Sequence, residues 1–173
     1  TVTHLGSLLV TRQQLRSVVQ APRLFVMSVP RVYAQFRREL ADDRSLFGPT
    51  VVDQLKAGRV SGAEVDVMIL TMMRNTRLLL QPESLRGNLA LSGSHGWLEA
   101  IRSQYVCQVL VDEATDFSAL QLGCLIELTH PSLRCWFACG DFMQRITRHG
   151  VTALSDISWL ERLDGEPVVV ESV

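Results

Sequence analysis

Val106-Cys107-Gln108-Val109-Leu110-Val111-Asp112-Glu113 is an apolar run that ends on two adjacent carboxylates. Six residues without a polar face, Val106 to Val111, predict a strand covered on both sides, as in a parallel sheet. Working downstream, Ser118 to Leu128 has helical composition and is stopped by His130-Pro131. Leu133 to Cys139 predicts another buried strand, Val151 to Leu163 a helix, and Pro167 to Val170 a strand. Strand, helix, strand, helix, strand in this order implies crossover connections and a parallel α/β sheet. No internal repeat or low-complexity tract interrupts it.

Upstream the pattern is thinner. Ser7 to Val10 predicts a short buried strand, followed by a helix over Thr11 to Gln20 that Ala21-Pro22 ends. Leu24 to Val29 predicts a second strand. Pro30 suits the start of the next helix, whose apolar stripe is Val32, Tyr33, Phe36 and Leu40. From about Asp42 to Arg102 strand signals fade. Ser61-x-x-Glu64 is a capping box ahead of a long helix through about Leu80. Gly87 to Gly96 reads as a loop, and Gly96 to Gln104 as a further helix. The expected organisation is an α/β core over 1–41 and 103–173, with a mostly helical insertion at 42–102.

Bulk properties set the class. The chain has 173 residues, of which 47% are hydrophobic and 20% charged, so it can bury a real core and is not broadly disordered. The formal net charge of -1 advertises no basic surface, so any contact with nucleic acid must use local patches or a larger protein. Lys56 is the sole lysine among 17 basic residues; arginine suits phosphate, but a biased genome composition explains this as well. Cys107, Cys124, Cys135 and Cys139 lack the spacing of a zinc site and read as buried, reduced thiols of a cytoplasmic protein. The start, THLGSLLVTRQQ, has no signal-peptide layout. Val67 to Leu80 is too interrupted by Arg74, Asn75 and Arg77 to span a membrane. With no initiating Met and a strand-like run at each end, the chain reads as an excerpt of a longer protein.

The chemistry sits at two strand ends. In parallel sheets ligands bind beyond the carboxyl ends of the strands. There Asp112 is suited to hold Mg²⁺, which needs few protein ligands, and Glu113 to orient and deprotonate an attacking water. A plainer alternative is that the strand merely meets solvent. Cys139-Gly140-Asp141-Phe142-Met143-Gln144 follows the next strand and should open on the same edge. Gly140 permits a tight turn. The Gln144 amide can donate to a phosphate oxygen and accept from water. The alternative here is an ordinary turn capped by Asp141.

Taken together, these two segments resemble the UvrD/Rep/PcrA-type superfamily 1 DNA helicases. Asp112-Glu113-Ala114-Thr115-Asp116, with Gln121 five residues on, is similar to their motif II, D-E-x-Q-D-x-x-x-x-Q. Gly140-Asp141-Phe142-Met143-Gln144 is similar to their motif III, G-D-x-x-Q. More weakly, Leu8-Leu9-Val10-Thr11 resembles motif Ia, and Ser28 to Arg37 resembles the segment that follows it. The resemblance implies a partial RecA-like (P-loop NTPase) parallel sheet and an ATP-dependent motor working on single-stranded or partly duplex DNA. It implies Mg²⁺ on Asp112, general-base catalysis by Glu113, and contact of Gln144 with the γ-phosphate of ATP. It places Thr11, Arg145, Arg148 and His149 near DNA, and implies a second motor domain as partner. Gln121 fits a capping box with Ser118 better than a catalytic role, and Asp116 fits support of the loop or a helix cap.

The departures are specific. Thr115 stands where the family usually has Gln, which implies a lost polar contact. After motif III the family continues S-I-Y-x-aromatic-R-G-A, whereas here the run is Arg145-Ile146-Thr147-Arg148-His149-Gly150-Val151. A base stacked on an aromatic contributes roughly 1–3 kcal/mol, so grip on a single strand is expected to be altered. G-x-x-x-x-G-K-[ST] does not occur, and Leu55-Lys56-Ala57-Gly58-Arg59 is no substitute, so the backbone cradle for phosphates is missing. In the family that loop lies upstream of motif Ia. Two other classes compete: a non-catalytic interaction module on a degenerate helicase scaffold, and an unrelated Mg²⁺-dependent nuclease or phosphatase using Asp112, Glu113 and Asp141. The last explains Gln144 poorly.

Overall fold

A computed structural model of the chain describes residues 20–39, 58–80 and 100–160. The expected strands at Ser7–Val10 and Pro167–Val170, Thr11, and the loop at Gly87–Gly96 all lie outside the described residues. The chain divides into two compact units, Thr1–Gln104 and Tyr105–Val173.

The described part of the first unit is helical. Residues 20–22 are helical and lead into a π-helical segment, Arg23–Met27, followed by helix α1, Val29–Glu39. The strand expected at Leu24–Val29 is therefore not formed, and Ala21-Pro22 does not end a helix. Pro22 adopts φ -59°, ψ -41°, which the helix accepts. Asn75 donates to the Phe25 carbonyl at 2.6 Å, and the Ser28 hydroxyl donates to the Leu24 carbonyl. These side chains serve carbonyls that the widened turn leaves under-satisfied. Ala21 and Val26 are buried with Leu79, against Met72, so the segment packs one helical side rather than pairing as a strand.

Helix α2, Gly62–Leu80, begins where the capping box predicts. The Ser61 N–H donates to Glu64 Oε2 at 2.7 Å, and the Glu64 N–H donates to Ser61 Oγ at 3.3 Å. Glu64 also joins α1 to α2. Arg37 Nε lies 2.7 Å from Glu64 Oε1, both side chains being buried. The Tyr33 hydroxyl donates to the same oxygen at 2.9 Å, and Arg37 Nη2 donates to the Arg59 carbonyl at 2.5 Å. The buried side of α1 is thus centred on Arg37. Val32 and Phe36, expected to face the core, are exposed.

The second unit is a small α/β arrangement. Strand β1, Gln108–Val111, pairs in parallel with β2, Cys135–Ala138, in the register Gln108↔Cys135 through Val111↔Ala138. Between them lie a 3₁₀ turn, Ala114–Asp116, and helix α3, Ala119–Ile126. Ser118 and Gln121 form the predicted capping box, with bonds of 3.0 and 3.2 Å. Alternation along the strands sends Val109, Val111, Trp136 and Ala138 to a core with Leu122, Ile126, Val151 and Leu160. The other face carries Leu110 and Phe137, which are 68% and 58% exposed. Among the described residues only one face is covered, not both as the apolar run predicts.

Two further expectations are corrected. Cys107, Cys135 and Cys139 are exposed, because they lie at the ends and on the open side of the strand pair, and Cys124, in α3, is half-buried. Val151 does not open a helix: its N–H donates to the Phe117 carbonyl at 3.0 Å and its side chain enters the core. A 3₁₀ turn, Leu154–Asp156, follows, because Asp156 Oδ2 accepts from Thr152 N, Ala153 N and Thr152 Oγ1 at 2.8, 3.1 and 2.6 Å. No described helix is long and apolar enough to cross a membrane.

The charge state of Glu64 ties the first unit to pH. Burial pushes its carboxyl up, but the Ser61 bonds, Tyr33 and Arg37 together outweigh this and hold it below the ordinary carboxylate range. A depressed carboxyl stabilises the fold above its unfolded value, and that contribution is lost as pH falls through the folded value. Tyr33, raised by burial and then by Glu64 to about 12, works in the opposite sense, losing its contribution as pH rises through that value. Glu64→Ala should cost about 3 kcal/mol, because it strands the buried Arg37 charge, and should flatten the acid limb of stability against pH in urea titrations.

Candidate functional site

Asp112 and Glu113 leave β1, and Cys139, Gly140 and Asp141 leave β2, at the same carboxyl edge of the parallel pair. The ladder continues past the strands. Cys139 N–H donates to the Val111 carbonyl at 2.9 Å, and Ala114 N–H donates to the Cys139 carbonyl at 2.8 Å. The two loops are therefore joined by main chain, as the crossover rule predicts.

Asp112 and Glu113 are both exposed. Asp112 uses Oδ1 to accept from Glu113 N–H at 3.0 Å and from the Cys139 thiol at 3.3 Å. The hydrogen bond to Asp112 and partial desolvation push the Cys139 thiol up, with the charges of Asp112 and Glu113 adding to it. Oδ2 of Asp112 lies outside these bonds and is the oxygen suited to a cation. Glu113 has φ 51° and ψ 43°, a left-handed backbone in a residue that is not glycine. That conformation costs roughly 1–2 kcal/mol and lets the chain turn from β1 straight into the 3₁₀ turn.

Gln144 sits in a turn built by Asp141. The Asp141 carboxylate accepts from Met143 N–H at 2.8 Å and from Gln144 Nε2 at 2.9 Å, and the Asp141 carbonyl accepts from Gln144 N–H at 3.1 Å. The amide that would read a phosphate is thus engaged by a neighbouring carboxylate. Residues 141–149 are all exposed. Met143 and Ile146 are the extreme cases, at 92% and 87%. No regular helix follows the turn; residues 139–150 run as turns and bends.

The loop is gripped along its length by the segment after Glu113. Buried Thr115 donates its hydroxyl to the Asp141 carbonyl at 3.3 Å, so this position keeps a polar contact, contrary to the expected loss. Asp116 Oδ1 accepts from Ile146 N–H at 2.8 Å and Thr147 N–H at 3.1 Å, and Thr147 Oγ1 donates to the Asp116 carbonyl at 2.8 Å. Those two backbone donors are the main reason the Asp116 carboxyl lies below its ordinary value. Asp116 supports the loop and does not cap α3, whose cap is Ser118. The Asp141 side chain caps its turn, as one of the two sequence readings has it, whereas sequence reasoning missed Thr147, whose partner Asp116 becomes visible only once the loops are folded together.

The cationic residues are distributed unevenly. Arg145 donates to the Gly150 carbonyl at 3.4 Å and lies close enough to Asp116 and Asp156 to lower both carboxyls. It is committed largely to its own loop. Arg148 and His149 are exposed on the far side of Thr147 in sequence. Among the described residues, no three His, Cys, Asp or Glu side chains converge on a metal position. One carboxylate with water and phosphate oxygens suffices for Mg²⁺, so Asp112 fits that ion in the presence of a nucleotide. The phosphate-loop pattern G-x-x-x-x-G-K-[ST] does not occur in the sequence.

Two glycines permit this close apposition. A Cβ on Gly140 would lie 3.0 Å from the amide nitrogens of both Ala114 and Thr115. A Cβ on Gly150 would lie 1.9 Å from the Thr115 carbonyl oxygen and 2.8 Å from Thr147 Oγ1. Gly150→Ala must therefore displace backbone, and should cost about 2 kcal/mol in urea unfolding while the far-ultraviolet spectrum stays close to that of the parent. No family model matches the chain, and neither a curated protein nor a solved structure is similar to it at the level that marks a relative.

Proposed function

We propose that the chain is part of the nucleotide-hydrolysing core of an ATP-dependent DNA helicase or translocase, with a partial RecA-like fold and a cytoplasmic setting. The observation that carries this reading is the meeting of two loops at one edge of a parallel strand pair. One loop bears Asp112-Glu113 and the other Gln144, and they are joined by the 2.8 Å bond from Ala114 N–H to the Cys139 carbonyl.

Each residue has a defined task in this proposal. Asp112 holds Mg²⁺ through its outer oxygen. Glu113, placed by its left-handed backbone, orients the attacking water and takes its proton. Mg²⁺-ATP supplies the scissile phosphoanhydride and the charge neutralisation that phosphoryl transfer needs. Gln144 reads the terminal phosphate, for which its amide must exchange Asp141 for a phosphate oxygen. Arg148 and His149 contact the DNA backbone, with Arg145 and Thr11 as further candidates and a second motor domain completing the assembly. A non-catalytic interaction module is the second reading, and the Gln144–Asp141 bond favours it, since that bond leaves the amide already satisfied.

Two measurements separate these readings. The 173-residue chain alone has no phosphate cradle, so it should show no turnover of Mg²⁺-ATP; turnover by the pure chain overturns the assignment of roles. In a protein that joins this chain to a phosphate loop, Glu113→Gln should abolish DNA-stimulated hydrolysis while nucleotide binding persists. Unchanged turnover in that variant removes Glu113 from the mechanism.

A further inference from the structure

We propose that Asp116 is a positioning residue that fixes Gln144 relative to Asp112 and Glu113; this rests on the hydrolytic reading above and names what holds its two halves in register. Gln144 lies in an exposed turn with no regular element of its own. Before it, the Asp141 carbonyl is held by Thr115 Oγ1 at 3.3 Å. After it, Ile146 and Thr147 are held by Asp116 through three bonds of 2.8, 3.1 and 2.8 Å. Two consecutive residues therefore grip both flanks of the turn, and they follow Glu113 by only one intervening residue.

The grip by Thr115 is one neutral hydroxyl bond, near the long limit. Asp116 supplies an ionised acceptor to two backbone donors, the stronger kind of hydrogen bond. Gly150, with its Cα against the Thr115 carbonyl, lets the chain return close enough for all of these bonds to form together. Removing the Asp116 carboxylate leaves two neutral hydroxyl bonds, Thr115 to the Asp141 carbonyl and Thr147 to the Asp116 carbonyl, which hold the Gln144 turn against the acidic pair more loosely. A misplacement of about 1 Å is sufficient to cost on the order of a hundredfold in a reacting geometry.

The test is amide hydrogen exchange and side-chain amide NMR on the 173-residue chain with Asp116→Ala and Asp116→Asn. In Asp116→Ala the Ile146 and Thr147 amides should exchange about tenfold faster, with β1 and α3 unchanged. The Gln144 side-chain signals should move toward those of a solvated glutamine, although Asp141 is intact. Asp116→Asn keeps an acceptor oxygen and should restore both readouts, a rescue that general loosening of the fold would not show. Parent-like Gln144 signals in Asp116→Ala overturn the proposal. If Asp116→Ala unfolds the unit, Asp116→Ser decides it: a hydroxyl too short to serve both the Ile146 and Thr147 amides should shift the Gln144 signals partway, and no shift overturns the proposal. Failure here leaves the outcome of Glu113→Gln untouched, so the grip and the chemistry are judged apart.

Discussion

Cys139 is the residue through which the second unit is assembled. Its N–H donates to the Val111 carbonyl and its carbonyl accepts from Ala114, so both of its backbone groups are spent on joining two strand ends. A parallel pair cannot be closed by a tight hairpin, and the connection must return through a helix. Once that return is made, the chain after β1 and the chain after β2 emerge side by side. Placement of the carboxylates, the left-handed turn at Glu113 and the close approach at Gly140 all follow from that one extension of the ladder.

What could be read beforehand was local. The two capping boxes, Ser61 with Glu64 and Ser118 with Gln121, use residues three apart and form as their spacing predicts. The parallel pairing was legible because two apolar runs flank a single helical segment and each ends in polar residues. Leu24 to Val29 misled, because a short run of aliphatic and aromatic residues has no period that separates strand from helix. Its helical form goes with packing of Val26 against Leu79 and with the bond from Asn75, fifty positions away, to the Phe25 carbonyl. Val151 to Asp156 misled for a related reason: the Asp156 carboxylate collects three donors and closes a turn where propensity alone suggests a helix.

The candidate site divides along the same line. Asp112, Glu113 and Gln144 were legible as chemical types at strand ends. The bond between Gln144 and Asp141 is short-range, yet which of its roles Asp141 fills depends on the turn. The contacts from Asp116 to Ile146 and Thr147 cross thirty positions and have no signature in either segment alone. In the first unit Glu64 plays a comparable organising part, since one carboxylate completes a helix cap, pairs with Arg37 and accepts from Tyr33. Both units thus rely on a carboxylate to join segments that the apolar pattern leaves unassigned.

Glu113 carries one further implication. At φ 51° glycine is comfortable, whereas any residue with a Cβ bears a steric penalty, which asparagine and aspartate offset by local hydrogen bonds. Selection for foldability alone would move position 113 toward those smaller residues. Arg134, at φ 44°, is a second long residue held in this region, so the fold bears such a penalty at more than one turn. Glycine at position 113 would ease the backbone and remove the acid in one step, so thermal robustness and the carboxylate oppose each other at that position.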